Sequence, residues 1–182
     1  MESFTTRRGD LLDVCRLGWA EPAALPRFFA GLTPATRAVF LPHAADDVTV
    51  ARAAERDRLG LDRAYVLMAG GDVVGYFFLW DFDQPVPLLG LGLADAWQGK
   101  GLGGRMLGRL IADARTAGRL GVELTTVPSN ARAFQLYRRA GFVHLGDVDN
   151  RAGDGRIVRE HRMFLPLQRG AQPPERHFGP PA

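Results

Sequence analysis

Residues 98–104 form the densest glycine cluster of the chain and lie between a short apolar segment and a long amphipathic one. This periodicity predicts that a strand leads into the cluster and that a helix begins directly after it. Free backbone N–H groups at the helix N-terminus would bind a diphosphate, and glycines would let phosphate oxygens approach closely because they lack Cβ atoms. Lys100, the one lysine of the chain, would add a positive charge. The predicted diphosphate loop consists of Gln98, Gly99, Lys100, Gly101, Leu102, Gly103 and Gly104.

Two general nucleotide-binding motifs can be compared with this loop. A Walker A loop does not fit, because Ala94 stands at its first glycine position and Gly101 follows the lysine where Ser or Thr would bind magnesium. A Rossmann fingerprint fits literally, as Gly99-x-Gly101-x-x-Gly104, with Glu123 about 20 residues onward as a ribose ligand. Glu123 lies near the start of its predicted strand, however, and too few residues follow for a doubly wound fold. A dinucleotide-binding protein is therefore an alternative that the spacing disfavours.

The elements around the loop are predicted from apolar periodicity and from glycine, proline and capping residues. Three helices begin near Pro22, Thr33 and Asp46, a fourth follows the loop, and Ser129 or Asn130 caps a fifth. A strand–helix–strand connection implies a parallel pair, whereas hairpins are antiparallel. We therefore expect an α/β (α+β) domain with a mixed, mostly antiparallel sheet flanked by helices. The predicted strands are 4–6, 11–17, 65–69, 73–82, 88–93, 121–127, 142–148 and 156–165.

The composition limits the classes of protein and partner. The 182 residues suffice for one domain, and no apolar run approaches the roughly 18 residues that span a bilayer, so a membrane-spanning protein is excluded. Of the 23 basic residues 22 are arginine, the net charge is only +3, and arginines alternate with acids, as in residues 52–58. This pattern predicts a solvated helix face and no nucleic-acid partner.

The polar residues 1–10 lack the apolar stretch of a signal peptide, so a cytoplasmic location is expected. Cys15 is expected to be a small buried apolar side chain.

Two further expectations concern the chain end and metals. Residues 167–182 have many prolines and little apolar area, so we expect a domain over residues 1–166 and a disordered tail after it. His144, His161 and His177 are expected to lie too far apart for a metal site, and no metal is expected.

Two separate segments resemble motifs of one family. Residues 98–103 (QGKGLG) are similar to the coenzyme A pyrophosphate loop of the GCN5-related N-acetyltransferase (GNAT) superfamily, Q-x-x-G-x-G. Residues 130–142 (NARAFQLYRRAGF) begin with the asparagine and end with the Leu-Tyr and Gly-Phe pairs of a second family segment. The resemblance covers about residues 3–165. It implies a sheet in which the parallel strands 88–93 and 122–127 splay apart to admit acetyl-CoA.

The resemblance also implies a reaction and residues for it. In this family a primary amine attacks the thioester of acetyl-CoA directly, with both substrates bound. Backbone groups of Leu93 and Ala94 would pair with the pantetheine arm, and Asn130 and Ala133 would line its channel. Tyr137, at the family's tyrosine position, would donate a proton to the leaving thiolate.

The general base is left open by the sequence. Family members often place a glutamate in or beside the strand before the loop, but residues 88–93 contain none. Glu123 on the neighbouring strand is the first candidate. Further candidates are Asp81, Asp83, Asp95 and a chain of waters. The missing glutamate also allows a catalytically degenerate, CoA-binding regulatory module, although the presence of Tyr137 argues against it.

The acceptor side is specified less sharply. Aromatic residues concentrate on strand 73–82, where alternate residues up to Phe82 would share one face. Trp80, Phe82 and His43 are the candidates for contact with the acceptor, which would be an amine of a small molecule, peptide or protein. Pairing between edge strands could join two copies into a homodimer.

Overall fold

The computed structural model describes residues 2–181, in which eight strands form a single sheet. The spatial order is β1-β2-β3-β4-β5-β6-β8-β7, and every neighbouring pair is antiparallel except β5 and β6. The predicted mixed, mostly antiparallel sheet is thereby confirmed. The strands are β1 (Glu2–Thr5), β2 (Leu11–Arg16), β3 (Arg63–Ala69), β4 (Asp72–Trp80), β5 (Leu88–Leu93), β6 (Gly121–Thr126), β7 (Val143–Arg151) and β8 (Ile157–Pro166).

In the described part of the chain five α-helices flank the sheet, and three of them begin at a side chain that caps the first turn. The side-chain oxygens of Thr33, Asp46 and Asn130 each accept a hydrogen bond from the backbone amide three residues later. These capping residues are among those that the sequence predicts. The helices are α1 (Ala24–Ala30), α2 (Pro34–Val39), α3 (Asp47–Arg58), α4 (Leu102–Thr116) and α5 (Ala131–Arg139). Within residues 2–181, none is long and apolar enough to cross a membrane.

Each face of the sheet has its own apolar core. On one face the buried stripe of α4, which includes Met106 and Leu110, packs against β4 and β6. On the other face α1, with Phe28 and Phe29, packs against the aromatic side chains of β4. Because both faces are covered, the central strands are buried on both sides, which explains the nearly continuous apolar sequence of β4.

The parallel strands β5 and β6 meet only where both begin. Leu88 and Glu123 form their single pair in the strand register, and the Glu123 amide donates to the Pro87 carbonyl at 3.1 Å. Beyond this point the two strands separate, so the sheet opens towards their carboxyl ends. The expected splayed pair is therefore present, and it creates the gap that the site uses.

The charged segment 52–58 differs from the solvated helix face expected from its sequence. Asp57 is fully buried and accepts hydrogen bonds from Arg16 Nη2 at 2.6 Å and from the backbone amides of Gly18 and Ala64 at 2.9 Å. These donors come from β2 and β3 and from the turn after β2. Asp57 therefore connects α3 to the sheet, and local ion pairing describes only part of this helix.

The segment after Pro166, for which the composition predicts a disordered tail, makes several contacts with the sheet. Phe178 is 8% exposed in the core beside α1, and its carbonyl accepts from the Arg151 amide at 3.2 Å. The Arg162 guanidinium donates to the Pro174 carbonyl at 2.6 Å. One aromatic ring and a few polar contacts hold the segment against the sheet. The amino-acid composition of the segment does not reveal such individual contacts.

Candidate active site

A cleft of about 690 Å³ opens where β5 and β6 separate. Its floor includes Leu91 and Leu93 of β5 and Thr125 and Thr126 of β6. The glycine-rich loop 98–104 closes one end, and α5 forms a wall. The cleft therefore passes from the start of α4 through the gap in the sheet.

The glycine-rich loop leaves the N-terminus of α4 open to a ligand. Gly101 is the residue before the helix and has φ of 89°, a left-handed conformation that favours glycine. A Cβ atom there would also lie 3.3 Å from Arg7 Nε. Within the described chain no side chain caps α4, so its first N–H groups are free to bind an anion. Arg7, Arg132 and Arg139 also line the cleft and would add positive charge.

The wall formed by α5 presents Asn130, Ala133 and Tyr137 to the cleft. The Asn130 side chain caps the helix, accepting from the Ala133 amide at 3.2 Å. Tyr137 is 5% exposed and its ring centroid lies 5.9 Å from that of Phe142. Burial raises the pKa of the Tyr137 phenol, with a smaller contribution from the negative charge of Glu160. The phenol is therefore protonated at neutral pH and can serve as a proton donor.

A second, smaller pocket of about 90 Å³ adjoins the cleft at the gap in the sheet. Both cavities are lined by Val39, Phe40, Gly90 and Thr125, so they share a boundary. This acceptor-side pocket lies between α2, the following loop, β4 and the β7–β8 hairpin. Its other lining residues are Arg37, Ala38, Leu41, Pro42, Phe78, Trp80, Leu88, Leu89, Asn150, Arg151, Ala152, Arg156, Val158 and Glu160.

Glu160 on β8 is an acidic side chain of this pocket, and the sequence did not single it out. Asn150 Nδ2 donates to Glu160 Oε2 at 2.9 Å and to Thr125 Oγ1 at 3.2 Å. Thr125 lines both cavities, so the Asn150 side chain links Glu160 to a residue at the gap. The one sequence signal for Glu160 is the alternation of side chains along β8. This alternation shows which residues share a face of the strand, but the face that points to the pocket is known only once the partner strands are known.

The glycines of β5 explain why that strand has no glutamate. A Cβ atom at Gly90 would overlap the ring of Phe78, and one at Gly92 would overlap the ring of Phe40. Both rings belong to the acceptor-side pocket. The space that a β5 side chain would fill is thus taken by aromatic rings, and the acidic side chain that lines this pocket, Glu160, comes from β8.

The model of a family described as acetyltransferase (GNAT) matches residues 26–142, which is well over half of the chain. The chain belongs to the GNAT acetyltransferase family. No curated protein matches it in sequence.

Solved structures of other acetyltransferases share the fold of this GNAT chain. The structure of yncA, a putative acetyltransferase from Salmonella typhimurium with its cofactor acetyl-CoA, has a TM-score of 0.68 and 23% identity, covering 90% of this chain and 98% of that one. The GNAT domain of S. lividans PAT has a TM-score of 0.72 and 17% identity, with coverages of 91% and 96%. The ribosomal-protein-S5-alanine acetyltransferase from Vibrio fischeri has a TM-score of 0.72 and 13% identity, with coverages of 94% and 100%.

Most residues of the predicted loop reach the cleft of this GNAT protein, but two do not. The Lys100 ammonium lies 4.2 Å from the ring centroid of Trp97, and Leu102 is fully buried in the core below α4. Gln98 Nε2 donates to the Leu93 carbonyl at 3.2 Å and to Thr36 Oγ1 at 3.1 Å, so it braces the loop. The predicted loop residues that line the cleft are Gln98, Gly99, Gly101, Gly103 and Gly104.

The backbone at the end of β5 differs from the expected pairing with a pantetheine arm. The Ala94 amide already donates to the Val74 carbonyl at 2.9 Å, and Ala94 does not line the cleft. Leu93 does line it, although its carbonyl accepts from Gln98. Gly90, Leu91 and Gly92 are the other residues of β5 along the cleft.

Glu123, the first candidate for the general base, is fully buried and lines neither cavity. It pairs with Arg162 Nε and lies 3.0 Å from Arg176 Nε. Burial raises the pKa of the Glu123 carboxyl, and Arg162 opposes that rise. Because Arg176 arrives from the segment expected to be disordered, the sequence offered no sign that this carboxylate would be enclosed.

The other acids named for this role lie in unsuitable surroundings. Asp95 lines the cleft, but hydrogen bonds from Thr36 and Thr33 lower its pKa to about 2, which makes it a weak base. Asp81 pairs with Arg56 at 3.0 Å, and neither Asp81 nor Asp83 lines the cavities.

Of the three acceptor-side candidates, only Trp80 lines the smaller pocket. The expectation that Trp80 and Phe82 share a face is wrong, because β4 ends at Trp80 and Asp81 has φ of 51°, which turns Phe82 into the opposite core. His43 is 2% exposed, with Nδ1 2.7 Å from the Ala44 carbonyl and Nε2 3.3 Å from the Tyr76 hydroxyl. It supports the loop that contains Leu41.

The expectation that the histidines lie too far apart is wrong for two of them. His144 and His161 approach each other together with Asp147, and their candidate ligand atoms all lie within 4.8 Å of one another. Pairing of β7 with β8 brings together residues that are 17 positions apart in sequence.

Proposed function

We propose that this GNAT protein transfers an acetyl group from acetyl-CoA to a primary amine, with both substrates bound at once. The observation that supports this most is the boundary that the two cavities share at the gap between β5 and β6. A donor in the larger cleft and an amine in the smaller pocket would meet there. Direct attack needs such proximity, which supplies much of the rate enhancement of a two-substrate reaction.

The larger cleft fits coenzyme A in its chemistry. The uncapped start of α4 would hold the pyrophosphate, and Arg7, Arg132 and Arg139 line the same cleft and are available to the phosphates. Glycines at positions 99, 101, 103 and 104 leave the space that a Cβ atom would fill. Asn130 and Ala133 line the route towards the gap.

Two side chains flank the gap with complementary chemistry. Bound acetyl-CoA supplies the activated acetyl thioester. Glu160, directly or through a water, accepts a proton from the amine nitrogen, which must be neutral to attack. Tyr137 Oη donates its proton to the leaving sulfur. Burial keeps that phenol protonated until the thiolate forms.

The acceptor-side pocket favours an amine that also has an anionic group. Its lining includes three arginines, Arg37, Arg151 and Arg156, against a single carboxylate, Glu160. Asp154 pairs with Arg156 at 2.6 Å and offsets one of these charges. A carboxylate or similar group of the acceptor would bind the remaining guanidinium groups, while its amine faces Glu160.

The alternatives make different predictions. Within residues 2–181 a single strand pair is parallel, so the doubly wound sheet of a dinucleotide-binding domain is missing. A degenerate CoA-binding module would bind CoA without turnover, and the presence of both Tyr137 and Glu160 argues against it.

The first experiment measures thermal unfolding with acetyl-CoA, CoA, NAD and NADP in parallel. A ligand at about 100 times its Kd stabilises a protein by about 2.7 kcal/mol, which corresponds to roughly 5–10 °C for a chain of this size. We expect shifts with acetyl-CoA and CoA and none with the dinucleotides. A shift with NAD or NADP alone would overturn the proposal.

The second experiment measures thiol release with an acceptor panel. Each amino acid is paired with its decarboxylated amine, for example phenylalanine with phenethylamine. We expect the amino acid to be the better substrate of each pair. Faster reaction of the amines would refute the anionic acceptor, and no turnover with any amine despite CoA binding would favour the degenerate module.

A further inference from the structure

We propose that His144, Asp147 and His161 form a binding site for one divalent transition-metal ion on the β7–β8 hairpin, separate from both cavities. None of the three residues lines the cleft or the acceptor-side pocket. Two imidazoles and one carboxylate are ligands that zinc, nickel and copper share. The inference is independent of the acetyl-transfer proposal, because its test measures metal binding and not acetyl transfer.

A β-bulge brings the three side chains to one face. Residues three apart in a regular strand point to opposite sides, so His144 and Asp147 would not meet in an unbroken β7. The register shifts between His144 and Gly146, and Gly146 has φ of 117°, which inserts one extra residue. Asp147 then stands directly opposite His161 on β8. The extra residue of the bulge therefore places His144 and Asp147 on the same face of β7.

The distances within the cluster are close to those of a metal site. Asp147 Oδ1 lies 2.6 Å from His161 Nδ1 and 3.3 Å from His144 Nε2, and the two imidazole centroids are 4.7 Å apart. A tetrahedral ion with ligand bonds of about 2.0–2.2 Å has ligand atoms a little over 3 Å apart. Small rotations of the three side chains would reach this geometry.

The cluster is accessible to solvent on one side and packs against Phe134 on the other. The side chains of His144, Asp147 and His161 are 33%, 36% and 24% exposed, so an ion can enter and a water can take a fourth position. The Phe134 ring packs edge-on against both imidazoles, with centroid separations of 5.7 and 5.3 Å. This packing restricts the rings on the side away from solvent.

A metal ion at this place would join elements that also form the active site. Phe134 belongs to α5, whose Ala133 and Tyr137 line the larger cleft. The ion would link β7 to β8 at the edge of the sheet and fix the rings on which α5 packs. We therefore expect metal binding to stabilise this part of the fold.

The test is calorimetric titration of the full chain, free of any histidine tag, with Zn²⁺. We expect one equivalent to bind, and we expect the Kd to rise at least tenfold in His144→Ala and in His161→Ala. His177→Ala is the matched control, since it removes an exposed histidine outside the cluster and should bind as the unchanged chain does. Circular dichroism of each metal-free variant checks that the fold is retained.

Asp147→Asn, which keeps the size of the side chain, gives a second readout that does not depend on losing a histidine. Co²⁺ should produce visible d–d absorption in the unchanged chain and in His177→Ala, and a changed spectrum in Asp147→Asn. Absence of stoichiometric Zn²⁺ binding by the unchanged chain, or equal affinity in either cluster histidine variant, would overturn the proposal.

Discussion

The two cavities that meet at the gap in the sheet are built in different ways. The larger cleft takes its free backbone N–H groups from one continuous loop and the helix that follows it, and three arginine side chains add positive charge around them. The acceptor-side pocket takes its polar groups from side chains of distant segments, among them Arg37, Thr125, Asn150 and Glu160. Backbone groups of one segment can be recognised in the sequence, whereas side chains from distant segments are brought together only by the tertiary structure.

Tyr137 belongs to the larger cleft, and its replacement tests whether that cleft supplies the proton for the leaving group. We expect Tyr137→Phe to lower kcat by about 100-fold or more, because a positioned general acid contributes roughly 10²–10⁴. The KM for acetyl-CoA should change little, since the ring remains packed against Phe142. Steady-state kinetics by thiol release measures both constants.

Tyr65→Phe is the matched control for this change. The Tyr65 hydroxyl donates to Asp113 at 2.7 Å and lines neither cavity. We expect an unchanged kcat in this variant. Equal kcat values for Tyr137→Phe and the unchanged protein would remove the acid role from Tyr137.

A negative charge at the start of α4 tests whether the backbone N–H groups there bind the phosphates of CoA. A Cβ atom at Gly103 would make only an ordinary contact of 3.5 Å with Leu136, so Gly103→Asp should fold, and an acid suits a helix N-terminus. Like charges about 6 Å apart near a protein surface repel by about 3 kcal/mol, so we expect affinity for CoA to fall about 100-fold. Calorimetric titration with CoA measures this.

Gly108→Asp makes the same change farther along α4, where nothing lies within 4 Å of a Cβ atom. Its affinity for CoA should remain within about twofold of the unchanged value. Equal losses in Gly103→Asp and Gly108→Asp would mean that the start of α4 does not bind the phosphates.

Glu160 and Glu123 allow a direct comparison of an acid in the pocket with an acid in the core. We expect Glu160→Gln to lower kcat/KM about 10–100-fold with little loss of stability, since Glu160 is only partly buried. Glu123→Gln should destabilise the fold by roughly 3 kcal/mol, because Arg162 and Arg176 would lose their buried partner. Urea unfolding and kinetics on the folded protein separate the two effects. A large kinetic loss in Glu123→Gln alone would reverse the assignment.

The sequence predicted what depends on local pattern and missed what depends on distant contacts. The strands, the start of α4 and the cap at Asn130 follow from residues close to each other in the chain. The burial of Glu123 depends on Arg176, which is 53 positions away. The face of Glu160 depends on strand pairing, and a single left-handed residue at Asp81 reversed the expected direction of Phe82.

The smallest effect concerns His43, which supports the wall of the acceptor-side pocket from within the core. Burial lowers the pKa of His43 below its usual value of 6.5, so the folded chain holds this imidazole neutral while the unfolded chain takes up a proton. Stability should therefore fall as the pH drops below about 6.5, with a slope of at most about 1.4 kcal/mol per pH unit from this group.

The variant His43→Gln should lack this contribution to the slope. The control His177→Gln, which changes an exposed histidine, should keep it. Urea unfolding at pH 5, 6 and 7 measures the slopes. If His43→Gln keeps the slope of the unchanged chain, the burial of His43 does not limit stability in acid.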